Sequence, residues 1–220
     1  MLNDSSCPVG AEATALHPSE DQIRAREELI LGGPPRITPM DVAEISEEAL
    51  TVVTDLRETF KRGTQKPDEF FAITLQHPKL YRRHTDLALQ LMNHGALRPR
   101  DRELIILRTG WLCQAPYEWG EHVIVSKQFA GMTREDIERV TIGSTAPGWD
   151  ARDRAILQAV EELHETAMIC DETWERLSAE LNEQQLLELP ILIGQYKGVA
   201  YLQNSVRIRL GRNNVGLRAR

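Results

Sequence analysis

The chain has 220 residues, 41% hydrophobic, 27% charged and 5% aromatic, with a formal net charge of −7. That length allows a large core within one domain, so neither a disulfide nor a metal is needed for folding. The acidic balance opposes a nucleic-acid surface, which needs clustered Lys and Arg, and no run of about 18 apolar residues offers a membrane span.

Residues 1–36 are mixed and poorly periodic, ending in Gly32-Gly33-Pro34-Pro35. They read as a partly irregular N-terminal arm with a short helix over Ser19 to Leu31, ordered by docking on something such as another subunit. The arm lacks a basic segment followed by an apolar one, so it is not a signal peptide, and a reducing cytoplasm is the default. Ser46 suits the cap of a helix bearing Leu50, Val53, Leu56 and Phe60, closed by Gly63. A short helix follows Asp68, and His77-Pro78 breaks it and starts the next, with Leu80, His84, Leu87, Ala88 and Leu91 on one face.

The stretch from about Arg100 to Cys113 is apolar nearly all round after a charged first turn, as in a helix buried on several sides. Pro116 opens the next helix, with Glu118 in its first turn, and Gly131 closes it. Thr133 with Asp136 resembles a capping box. Ser144 to Trp149 reads as a loop and Asp150 as the cap of a long helix. Asp171 caps another, burying Trp174, Leu177 and Leu181. Asn182 with Gln185 opens a further helix, and Pro190 to Leu210 forms the last. No alternating strand pattern or hairpin turn occurs, so the fold class is all-α, with roughly eight to ten helices. The last ten residues, 211–220, form a basic tail expected to be solvated.

Glu118 and His122 lie four apart on one helix, with Cβ atoms roughly 6 Å apart. A carboxylate beside an imidazole can orient it and raise its basicity. A surface ion pair has the same spacing, but Trp119, Val123, Ile124 and Phe129 make the surroundings apolar. Glu103 by itself is explained by the preference of acids for a helix's first turn. Cys113 is one of three cysteines at unrelated spacings, with no C-x-x-C, so no disulfide framework is expected. It is either a nucleophile or a small core hydrophobe. Glu161-x-x-His164 has di-iron spacing, but the second Glu-x-x-His that such a site needs is absent. No metal is expected, with a mononuclear set from Glu103, Glu118 and His122 as the alternative. Neither G-x-G-x-x-G nor a P-loop occurs, so no cofactor is expected.

The run R-E-L-I-I-L-R at Arg102–Arg108, Y-E-W-G-E-H at Tyr117–His122 and the glycine before a Thr-capped helix resemble the carboxymuconolactone decarboxylase family. Its superfamily includes the alkylhydroperoxidase D (AhpD) type. The resemblance is best from Pro78 to Val140 and resumes over Ile193–Val206. It implies a compact multi-helix bundle over 37–210, with an added helical extension at about 144–180. In the peroxidase branch, two cysteines would fall at Ala115 and Glu118; both are missing, and Cys113 lies two residues too early. The decarboxylase branch, with an acid four residues before the histidine, is the better likeness, and it makes Glu103, Glu118 and His122 the site candidates.

The resemblance therefore implies a cofactor-free acid/base enzyme, a decarboxylase or related lyase or isomerase of a small lactone, oxo acid or aromatic-derived molecule. His122 is assigned as general acid/base, Glu118 as its orienting or relay partner and Glu103 as a second proton carrier. Arg102 or Arg108 could hold a substrate carboxylate. Tyr117, Trp119 and Trp111 are candidate pocket walls, with Cys113 beside them. Thiol-dependent peroxide reduction through Cys113 and a non-catalytic helical assembly module are the alternatives. Family members form trimers or hexamers, so a homo-oligomer is expected, a dimer being the lesser alternative.

Overall fold

The computed structural model describes residues 18–41, 45–47, 49–52, 54 and 69–220. The named helices are α1 (Glu20–Leu31), α2 (Glu69–Thr74), α3 (Pro78–Asn93), α4 (Pro99–Leu112), α5 (Pro116–Phe129), α6 (Arg134–Ile142), α7 (Ala151–Glu165), α8 (Asp171–Glu180) and α9 (Glu183–Val206). A 3₁₀ turn, Gly216–Arg218, lies near the end, and no strand occurs among the described residues. The protein is all-α. Ser46 does cap a helical turn, its Oγ accepting the Ala49 N–H. The remainder of that expected helix, with Val53, Leu56, Phe60 and Gly63, lies outside the described residues.

Helix α4 is the centre of the molecule, lying against α5, α6, α7 and α9. Leu104, Ile105, Ile106 and Leu107 are consecutive and all fully buried, so every face of the helix is covered. The local sequence fixes where the surrounding helices begin. Proline occupies the first turn of α3, α4 and α5, where its missing N–H costs nothing. Reciprocal capping boxes start α1 (Ser19, Gln22), α6 (Thr133, Asp136) and α9 (Asn182, Gln185).

Two ionic clusters tie α4 to its neighbours. At its N-terminus Asp101 receives Arg98 at 2.8 Å and Arg152 at 2.6 Å, while Arg100 donates to Asp136 and Asp153 at 3.0–3.2 Å. Burial would push the Asp136 carboxyl up, but the Arg100 fork and the Thr133 N–H hold it at about 2. Midway along α4, Arg108 is fully buried and donates to Glu161 at 2.9 Å and to the Val140 and Thr141 carbonyls at 2.9 Å. Glu161 also accepts the Ser144 N–H and hydroxyl. Gly143 makes room for this cluster: its φ is +100°, and a Cβ there would fall 2.1 Å from Glu161 and 2.4 Å from Arg108.

Several elements depart from expectation. Pro190 does not begin a helix but sits inside α9, which runs unbroken from Glu183. On α3 the buried residues are Tyr81, Thr85 and Leu91, whereas Leu80 is 62% and Leu87 40% exposed, so the inward face is turned from the one expected. Cys170, not Asp171, is the cap position of α8, and Trp174 is 43% exposed.

The tail is not a solvated terminus. Leu217 and Ala219 are buried, the Ala219 carbonyl accepts the Trp119 indole N–H, and Arg220 lies over the Trp111 and Trp119 rings at 5.1 and 5.8 Å. Helix α1 closes over this segment, Glu27 accepting the Leu217 N–H at 2.9 Å, so the described part of the arm that forms α1 docks on its own chain. Cys170 is disulfide-bonded, which the cysteine spacings gave no sign of, while Cys113 is free.

Candidate active site

Helices α4 and α5 are joined by a tight turn over residues 113–115, with Gln114 in the left-handed region (φ 45°) and its carbonyl held by Arg26. The turn folds α5 back against α4, bringing Glu103 of α4 to His122 of α5. His122 Nδ1 lies 2.8 Å from Glu103 Oε2, and its Nε2 lies 3.2 Å from Glu118 Oε1. All three side chains are buried, Glu103 completely. The imidazole is thus clamped between two carboxylates.

Helix α9 completes the surroundings. The Tyr196 ring meets His122 edge to face at 5.1 Å, and Gln203 Nε2 donates to Glu118 Oε2 at 2.6 Å. Tyr196 donates its hydroxyl to Met92 Sδ at 3.1 Å. Burial and the two nearby carboxylates push the phenol well above its ordinary range, so it stays neutral and acts as a wall.

A neutral imidazole has one N–H, and its other nitrogen would set a lone pair against a carboxylate. Two carboxylates therefore favour the doubly protonated ring. Burial by itself would lower the His122 pKa, but the charges and hydrogen bonds of Glu103 and Glu118 outweigh it and raise the value to about 10. Both ring nitrogens of His122 are thus taken by carboxylates, and no metal-holding group of three or more His, Cys, Asp or Glu occurs among the described residues. Three buried polar atoms beside the clamp have no hydrogen-bond partner among the described residues: Glu103 Oε1, Gln203 Oε1 and Arg102 Nε.

The structure thus brings Glu103, Glu118 and His122 together and sorts the other candidates. Arg102 stays beside them, its Nε 3.6 Å from Glu103 and its Nη1 donating to the Met92 carbonyl. Arg108 is saturated by Glu161 and backbone carbonyls and cannot reach a substrate. Trp111 and Trp119 pack against each other, tilted by 53° with centroids 4.8 Å apart, and face the C-terminal tail, and Tyr117 packs on Phe70 in a separate apolar cluster. Burial pushes the Cys113 thiol up to about 11 despite nearby Lys197 and Arg26, so thiolate is scarce at neutral pH. Sequence reasoning did not single out Gln203 and Tyr196. The only available signal was the resemblance of their helix, Ile193–Val206, to the last helix of the family.

The site is a buried histidine held between acids of adjoining helices in an all-helical chain. Residues 78–162 match the Carboxymuconolactone decarboxylase family, and the fold of the chain is similar to that of AhpD-like solved structures. The fold is similar to that of an uncharacterised peroxidase-related protein with an AhpD core from Ralstonia eutropha JMP134. The TM-score is 0.70 at 15% identity, covering 82% of this chain and 94% of that one. A peroxidase-related protein from Silicibacter sp. TM1040 gives 0.67 at 18% identity, covering 82% and 95%. A protein of unknown function from Agrobacterium tumefaciens gives 0.58 at 19% identity, covering 62% and 93%. No curated protein matches the chain.

Proposed function

We propose that the protein is a cofactor-free acid/base enzyme, a decarboxylase or related lyase or isomerase acting on a small lactone, oxo acid or aromatic-derived molecule. The observation that carries this reading is the His122 ring set between Glu103 and Glu118 in a buried site. An unsaturated lactone or oxo acid supplies its own electron sink for loss of carbon dioxide. The protein then has to hold the carboxylate and deliver a proton. His122, charged at rest, is the proton donor. The buried Glu103 holds Nδ1, which makes it the orienting carboxylate, and Glu118 becomes the second proton carrier on the Nε2 side, an exchange of the roles first assigned to them. Arg102, whose Nε lies 3.6 Å from Glu103 and makes no hydrogen bond, is the candidate for a substrate carboxylate.

The similar structures are peroxidase-related by description, so thiol chemistry is the competing reading. The high-lying Cys113 thiol counts against it. The test is turnover of a panel of unsaturated lactones, including carboxymuconolactone, and small oxo acids, followed by carbon dioxide release and ultraviolet absorbance. Glu118→Gln is expected to lower turnover roughly 10²-fold, as for loss of a general acid/base partner, and Cys113→Ser to leave it unchanged. Full activity in both His122→Ala and Glu118→Gln would remove the assignment. Assembly as a homotrimer or homohexamer belongs to the same proposal, and sedimentation as a monomer at micromolar concentration would count against it.

A further inference from the structure

Helix α9 contacts a second histidine besides His122. Gln195, next to Tyr196, places its Nε2 3.1 Å from His84 Nε2 and 3.4 Å from the His84 carbonyl oxygen. The carbonyl can only accept, so the amide nitrogen donates to both atoms. The ring nitrogen must therefore offer a lone pair, which puts the single proton of His84 on Nδ1. Tyr81 stacks on the ring at 6.0 Å and 17°. From there a chain of ring contacts, Tyr81 to Phe70 and Phe70 to Tyr117 at 5.9 Å each, leads to the residue before Glu118. Among the described residues no hydrogen-bond partner holds His84 Nδ1, and the side chain is only partly buried. Beside Glu118, the buried Gln203 Oε1 is also without a hydrogen-bond partner.

We propose that His84 is a further substrate-contacting residue of this site, a neutral imidazole that donates from Nδ1 to a carbonyl or carboxylate oxygen on the Glu118 side. The inference rests on the acid/base reading above. Two histidines with opposite protonation divide the work: His122 is charged and gives a proton, and His84 is neutral and polarises an oxygen without transferring one. Burial favours the neutral form of His84, with the charge of Glu118 opposing it less strongly. Glu118 is the charged group facing it from α5, and Gln195, from α9, is uncharged. Pairs of groups whose surroundings drive their protonation apart are how enzymes assign acid and polarising roles.

The test has a ligand-free arm and a ligand arm. Nitrogen-detected NMR of histidine-labelled protein at pH 7 is expected to show His84 as the neutral Nδ1–H tautomer and His122 as imidazolium. A charged or Nε2–H His84 overturns the proposal whatever any ligand does. In the second arm 2(5H)-furanone, an unsaturated lactone, is titrated as the probe and is expected to shift the signals of both rings. His84→Phe keeps the ring stack on Tyr81 and loses the donor; Gln195 loses its ring acceptor but keeps the residue-84 carbonyl, so the fold is expected to survive while furanone binding weakens about 5-fold, as for one neutral hydrogen bond. A shift at His122 alone, or unchanged affinity in His84→Phe, overturns the role of His84 and leaves the acid/base reading standing. No shift at either ring overturns both.

Discussion

Glu161→Ala is expected to destabilise the protein by about 3–5 kcal/mol, the usual cost of leaving one member of a buried ion pair uncompensated. Arg108 has no exposure to water, and its only counter-charge in the cluster is Glu161, 2.9 Å away. Burial already pulls the guanidinium pKa down against the attraction of Glu161, so removing the carboxylate leaves desolvation unopposed. The Ser144 N–H and hydroxyl would lose their acceptor at the same time. Arg108→Met with Glu161→Leu removes both charges, which elsewhere is neutral or stabilising. Here it should recover only part of the loss, because the Val140 and Thr141 carbonyls would also lose their donor. Denaturant unfolding is the measurement. A Glu161→Ala midpoint within about 1 kcal/mol of the parent would mean that water or a shifted side chain compensates Arg108.

This cluster also shows where sequence stops being legible. The i,i+4 spacing of Glu118 and His122 is local, and a helix forces those side chains onto one face, so the pair could be read directly. Glu103 became a candidate by family likeness, not by spacing, because its distance from His122 depends on how the turn over residues 113–115 folds α5 back. Arg108 was misjudged for the same reason. An arginine in an apolar helix awaits either a substrate or a buried acid, and the acid proved to be Glu161, 53 residues away and noted in the sequence only for its spacing from His164. Gln203 lies on a helix far along the chain from Glu118, and nothing local marks it. The tail was misread because its arginines suggested water, whereas its backbone carbonyls and Leu217 are what dock. The all-helical fold was legible because caps, prolines and apolar periodicity are short-range. On α9 one such rule gave way, since burial of Leu189, Leu192 and Ile193 holds the helix together across Pro190.

Glu103→Gln is expected to lower turnover of the true substrate by about 10²–10⁴-fold while leaving the fold intact, since the amide has nearly the shape of the carboxylate. The charge of Glu103 is the largest influence holding the His122 pKa up against burial. Without it burial gains, the ring loses its second proton at neutral pH, and the amide can hold either tautomer. The change should also appear in stability. In the parent the folded pKa of His122 is about 10, above the ordinary 6.5, so the folded state binds the extra proton more tightly than the unfolded chain. The resulting stabilisation is fully present below pH 6.5 and is lost as pH rises through about 10. Between those limits this group makes stability fall with pH by up to about 1.4 kcal/mol per unit. Glu103→Gln should flatten that slope and move the alkaline limb of the activity profile to lower pH. Urea midpoints from pH 6 to 10, compared for parent and variant, decide the matter. Parallel curves would mean that Glu103 does not hold the proton on His122, and its role would then be confined to positioning the ring.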